Sequence, residues 1–206
     1  MKNILPNKEY KLLKTLNTPV KIQNFLDQLK MNFEPEGDTV FSPMMVLERR
    51  VCHCIEGAIL AALALRVNGQ PPLILDLTAN RIDFDHVITV FKKDGKWGAI
   101  SKTNHAVLRY REPVYNSIRE LVMSYFHEYL DDFGRKNLRS FSLPVNLKRF
   151  DHLDWMTTKE EVYYIPEYLV EVKHFSILTK KQIRNLRTAD PIEIAAGKIT
   201  EWTEGE

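Results

Sequence analysis

Cys54 heads the most apolar run in the chain, and His86 opens a later run with strand character. A cysteine in the first turn of a helix meets unsatisfied backbone N–H groups and the positive end of the helix dipole, which favour thiolate over thiol. With an imidazole in reach, such a residue can do nucleophilic acyl chemistry: the histidine takes the thiol proton and the sulfur attacks a carbonyl carbon. Position alone also allows the plainer reading of Cys54 as a small buried hydrophobe. His53 adjoins it and His105 follows the same strand region, so either could take the place of His86 under a different register. His127, off the apolar stripe of its helix, reads as a solvated or locally hydrogen-bonded residue, and His152 and His174 show no partner in the sequence.

The elements that must hold these residues follow from apolar spacing. Thr18-Pro19 starts a helix with Val20, Ile22, Phe25, Leu26 and Leu29 on helical spacing, which ends before Glu34-Pro35-Glu36-Gly37. A connection through Ser42-Pro43 leads by Met44 to Leu47 into Arg49-Arg50-Val51-Cys52-His53-Cys54. Ile55 to Val67 has almost no polar face, which marks a buried helix, and Asn68-Gly69 with Pro71-Pro72 stops it. Strands then run over Leu73 to Leu77, His86 to Phe91 and Trp97 to Ser101. Ser117 caps a helix whose stripe runs from Ile118 to Leu130, with Glu120 completing a capping box and Gly134 as its stop. Beyond it, a helix near Thr158 to Tyr168, an extended His174 to Leu178 and helical pieces at Lys180 to Leu186 and Pro191 to Ala196 read as packing around the rest.

Asp94-Gly95 between two β-rich runs predicts a two-residue hairpin turn. Lys93 then faces Lys96, Ile88 faces Ser101 and His86 faces Thr103, so Ser101 lies diagonally beside His86 on one face of the sheet, about 7–8 Å away between backbones. A polar side chain thus stands where an imidazole would need an orienting partner.

Taken together, Cys54-Ile55-Glu56-Gly57-Ala58 running into Ile59 to Leu65, Asp85-His86-Val87 opening a strand, and Gly95-Lys96-Trp97-Gly98-Ala99-Ile100-Ser101 resemble the transglutaminase-like superfamily of papain-like cysteine hydrolases. The similarity extends over Thr18 to Asn104. It implies an α+β fold of the papain-like or transglutaminase-like type, with the nucleophile helix packed on a mainly antiparallel sheet. It implies Cys54 as nucleophile, His86 as base, and a cysteine-dependent acyl hydrolase or acyltransferase acting on a peptide or amide through an acyl-enzyme. The backbone N–H of Cys54 would stabilise the oxyanion. The third catalytic position, usually Asp, falls on Ser101, which can accept from an imidazole but brings no charge. Asn104 is the other candidate orienter. A catalytically inactive relative that binds a peptide or protein partner in the same cleft is the competing expectation.

Cys52-His53-Cys54 does not amount to a structural zinc site, because no second Cys/His pair of suitable spacing exists. The two cysteines are also poor disulfide partners, and Cys52 reads as a packed thiol. Neither a Gly-rich phosphate loop nor a Gly-x-Ser-x-Gly elbow is present, and no cofactor is implied. A net charge of +2 over 206 residues argues against a general nucleic-acid surface. The basic clusters Lys180, Lys181, Arg184, Arg187 and Arg135, Lys136, Arg139 read as solvated faces. Arg109, Tyr110, Arg111 and Glu112, just after the hairpin, read as a surface salt-bridged turn, with recognition of an acidic substrate as the alternative. With no linker or repeat, residues 1–206 are expected to form one domain, with an N-terminal helical segment and a C-terminal packing extension. The apolar run at Ile55 to Leu65 is too short to span a bilayer, and Met1 to Lys14 lacks the apolar centre of a signal peptide, so a cytoplasmic protein with no membrane partner is expected.

Overall fold

Proline and glycine punctuate the chain into elements whose order largely follows the apolar periodicity. The computed structural model describes residues 4–205. Helices α1 (Asn7–Thr15) and α2 (Pro19–Asp27) are followed by strand β1 (Lys30–Met31), helix α3 (Pro43–Arg49) and strand β2 (Val51–Cys52), which pairs in parallel with β1. Helix α4 (Cys54–Val67) follows at once. The expected connection after Ser42-Pro43 is therefore a helix. Ser42 Oγ accepts from Met45 N–H and Pro43 occupies the first turn, as Thr18 and Pro19 do for α2.

The main sheet comprises β3 (Leu73–Thr78), β4 (His86–Lys93), β5 (Lys96–Ile100) and β6 (Arg111–Tyr115), then, after helix α5 (Ile118–Met123), β7 (Ser140–Ser142) and β8 (Val145–Asn146). A 3₁₀ segment (Leu147–Leu153), α6 (Tyr164–Glu171), β9 (His174–Ser176), α7 (Lys180–Arg184) and α8 (Pro191–Gly197) complete the order. The strands lie in the sequence β6-β5-β4-β3-β7-β9, with β8 also on β3, and all these pairings are antiparallel. The protein is thus α+β with a mainly antiparallel sheet. Its last third does more than cover the rest, because β7 and β9 extend the sheet.

Lys93 pairs with Lys96 and Thr89 with Ile100, the register expected of the Asp94-Gly95 turn. Both turn residues have positive φ, 49° and 80°, as a type I′ turn requires. Alternation along β4 divides the core. Val87 and Phe91 face α4 and the helices around it, while Ile88 and Val90 face α5 and the Tyr125–Tyr129 turns. Thr89 Oγ1 donates to Ala58 O at 2.6 Å and His86 meets the Cys54 thiol, so α4 and β4 begin at the same end of the molecule. His86 is the first residue of β4 and Cys54 the first of α4.

Two helices differ from the sequence reading for identifiable reasons. The stripe from Ile118 leaves α-helical geometry after Met123, where Arg111 binds both the hydroxyl and the carbonyl of Ser124 and tighter turns carry the apolar stripe to Tyr129. Glu120 reaches the Asn116 N–H instead of Ser117, so only the Ser117 half of the capping box forms. The helix expected near Thr158 begins at Tyr164, which puts Pro166 in its first turn, where the missing N–H does no harm. No helix among the described residues is long and apolar enough to cross a membrane.

Candidate active site

The start of α4 is organised by a carboxylate. Glu56 is fully buried, and its Oε2 accepts from the His53 backbone N–H at 2.9 Å. Its Oε1 accepts from the Phe41 N–H and the Thr39 hydroxyl, each at 2.9 Å, and Asn32 Nδ2 reaches both oxygens. An acidic residue in a first turn is favoured by the helix dipole, and here it also ties the 32–41 segment across the helix start. Gly57 is needed beside it. A Cβ there would lie 2.6 Å from the Cβ of Lys102, whose stem crosses the helix on its way to donate from Nζ to Leu26 O and Leu29 O at the end of α2. Burial pushes that ammonium below its ordinary value.

Two imidazoles flank the half-buried Cys54 thiol. His53 Nδ1 lies 4.0 Å from Sγ, while His53 Nε2 donates to Thr39 O at 3.0 Å and stands 3.4 Å from both Glu34 Oε1 and Glu56 Oε1. Burial by itself raises the Cys54 thiol, but the hydrogen bonds from His53 and His86 and the positive charge available on this histidine pair outweigh it and bring the thiol down to about 5. Burial likewise opposes charge on His53. The adjacent Cys54 sulfur, the Glu56 carboxylate and the Thr39 carbonyl reverse that and lift it to about 9. Cys52, two residues earlier, is fully buried, and burial pushes it up to about 12. Both cysteines are free.

His86 reaches its own partner on β5's extension. Its Nε2 lies 2.8 Å from Ser101 Oγ, and Ser101 Oγ donates to Leu108 O at 2.6 Å. A hydroxyl has one proton, and here it goes to Leu108. Towards His86 the serine can only accept, so the imidazole carries its proton on Nε2 and leaves Nδ1 for the thiol. Gln23 of α2 clamps the serine backbone, accepting from Ser101 N–H at 2.9 Å and donating to Ser101 O at 2.8 Å.

No family model matches the chain, and no curated protein matches its sequence.

The other residues singled out in the sequence do not meet the Cys54–His86 pair, although Asn104 and His105 line the same cleft. Asn104 turns to the C-terminal segment, its Nδ2 donating to Trp202 O and its Oδ1 accepting from Trp202 N–H, so its amide is committed away from His86. His105 Nδ1 meets Gly197 O. His174 does have a partner, Asp76 Oδ2 at 3.2 Å, and burial raises that carboxyl to about 6. Arg109 pairs with Glu201 and Arg111 with Glu128, both far away in sequence, and Arg111 opens β6, so these ion pairs join separate segments where a local salt-bridged turn was expected. Lys136, expected on a solvated face, is buried, and Arg135 pairs with Asp131.

A cleft of about 610 Å³ opens over Cys54 and His86, walled by Phe33, Ile55, Leu108, Tyr129 and Ile194. Phe84, 90% exposed, stands at its margin on the β3–β4 loop, whose carbonyl at that residue accepts from the Tyr129 hydroxyl. Sequence reasoning missed Gln23, Glu34 and Thr39 altogether. Gln23 did leave a trace, as a polar residue among the apolar positions of α2.

Proposed function

We propose that the protein is a cysteine-dependent acyl hydrolase or acyltransferase of the transglutaminase-like type, acting on a peptide or amide in the cleft over Cys54. The observation that carries this is the placement of the Cys54 thiol at the first turn of α4, beside His53 and His86 and open to the cleft, surroundings that lower it below an ordinary thiol. Buried structural cysteines are pushed the other way, as Cys52 is. Cys54 is the nucleophile and His86, held by Ser101, presents Nδ1 as the base. The thiolate attacks the carbonyl carbon, the leaving amine takes a proton, and water or a second amine releases the acyl group from sulfur. The backbone N–H of Cys54, at the first helical position, has no acceptor within its helix and is suited to the oxyanion.

The α4–β4–β5 arrangement, with the cysteine and histidine at coincident ends of helix and strand, supports a papain-like reading of the fold. Two free cysteines are in keeping with a reducing, cytoplasmic compartment. One observation favours a silent, peptide-binding protein instead: the residue behind His86 is a neutral serine, where charge would stabilise imidazolium.

The test is to expose the full chain to peptide-amide and isopeptide libraries and look by intact-mass spectrometry for an acyl adduct on Cys54. An adduct that is lost in Cys54→Ser and diminished in His86→Ala is the expected result. Absence of any adduct or turnover, together with equally slow alkylation of Cys52 and Cys54, would sink the enzyme reading.

A further inference from the structure

Acyl transfer by a thiol needs one histidine, yet Cys54 has two, and they are held in different ways. His86 is tied through Nε2 to a neutral hydroxyl that can only accept, which suits the uncharged ring. His53 is tied through Nε2 to the Thr39 carbonyl, with two carboxylate oxygens each 3.4 Å away, and it turns Nδ1 to the sulfur at 4.0 Å. A carbonyl requires a proton on Nε2 and a thiolate requires one on Nδ1, so these surroundings suit the doubly protonated ring. The carboxylate missing behind His86 is present behind His53.

Building on the acyl-transfer reading, we infer that His53 is a second catalytic histidine, which keeps the proton removed from Cys54 in the resting protein and so leaves His86 neutral. The cycle then balances with one shuttled proton. Sγ bonds to the carbonyl carbon, whose π electrons move to oxygen. On collapse the C–N bond breaks, and the departing nitrogen takes the electron pair and the proton from His53 Nδ1. Water then loses a proton to His86 Nδ1 as its oxygen bonds to the thioester carbon. The C–S bond breaks to return the thiolate, and the proton on His86 passes to His53. Titratable and charged groups around this pair include Glu34 before α3, Glu56 on α4, Asp85 and His86 at the start of β4, Cys52 on β2, Lys102 after β5 and Tyr129 after α5.

The thiolate can be titrated by its ultraviolet absorbance in the full chain, comparing His53→Asn, His86→Ala and Glu34→Gln. Asn is a favoured N-cap and preserves the start of α4. In His86→Ala the thiolate should persist at neutral pH. In His53→Asn the thiol should return to its ordinary value near 9, a loss of about a hundredfold in thiolate at pH 7. Glu34→Gln keeps the oxygen that Thr39 N–H uses, removes one charge behind His53 and should raise the titration midpoint by a smaller amount. If His86→Ala abolishes the thiolate as fully as His53→Asn does, or if Glu34→Gln leaves the midpoint unmoved, the inference is overturned while the acyl-transfer reading stands. An ordinary thiol titration in the unsubstituted protein removes both.

Discussion

His86 donates from Nε2 to the hydroxyl of Ser101 at 2.8 Å, and that hydroxyl passes its single proton to the Leu108 carbonyl at 2.6 Å. A neutral residue thereby does part of what a carboxylate does in a catalytic triad. It selects the tautomer and points the ring, but supplies no charge. Gln23 keeps the serine in place from a helix far away in sequence.

Ser101→Ala should therefore release the imidazole without unfolding the chain. Loss of one such hydrogen bond is worth about 1 kcal/mol, or roughly fivefold in an equilibrium. Acylation of Cys54 should slow by at least that factor, and nitrogen NMR of the His86 ring should show the Nδ1–H tautomer becoming populated. An unchanged ring spectrum would falsify the orienting role.

Asn104→Ala should do something different. Its two amide contacts hold Trp202, and neighbouring backbone bonds join Ala106 to Ile199 and Glu201 to Asn104. The variant is expected to speed amide hydrogen exchange in residues 198–203 while leaving the Cys54 alkylation rate within about twofold of the parent, since exposed segments open at low free energy. Slower alkylation with an intact tail would restore Asn104 as an orienter.

Glu56→Gln tests the organiser of the helix start. Its carboxylate accepts from the Phe41 and His53 N–H groups, Thr39 and Asn32, so an amide would set a donor against donors. Hydrogen bonds to a buried charge are worth about 1.5–3 kcal/mol each, and a loss of about that size or more is expected in chemical denaturation. Parent-like stability would mean that the 32–41 segment is held by other contacts.

Stability should also depend on pH in two opposed limbs. The Cys54 thiol lies lower in the folded chain, at about 5 against an ordinary 9.0, so its contribution is complete above that ordinary value and is lost as pH falls through about 5. His53 lies higher when folded, at about 9 against 6.5. Its contribution is complete below 6.5 and is lost as pH rises through about 9. The two form one pair, so its stabilisation is greatest between those limits. Denaturation midpoints of His53→Asn, measured across that range, should show both limbs flattened relative to the parent.

Local pattern was enough for the parts of the site that depend on nearest neighbours. An uninterrupted apolar run bounded by Asn68-Gly69 and Pro71-Pro72 specifies α4, and the two-residue turn at Asp94-Gly95 dictates the register that brings Ser101 beside His86. Both follow from backbone geometry within a few residues. The 118–130 stripe does not stay one helix because Arg111, from β6, takes the carbonyl that a continuing helix would use.

Which groups set the charge of Cys54 is a tertiary matter. His53 is visible in the sequence as a neighbour, but its protonated form depends on Thr39 and Glu34, and Glu56 acts only because folding buries it completely under the 32–41 segment. Gln23 and Lys102 reach the site from other elements in the same way. Periodicity encodes which face of an element leaves water; it does not encode which polar groups meet once water has gone, and in that low-dielectric space their mutual distances decide who holds the proton.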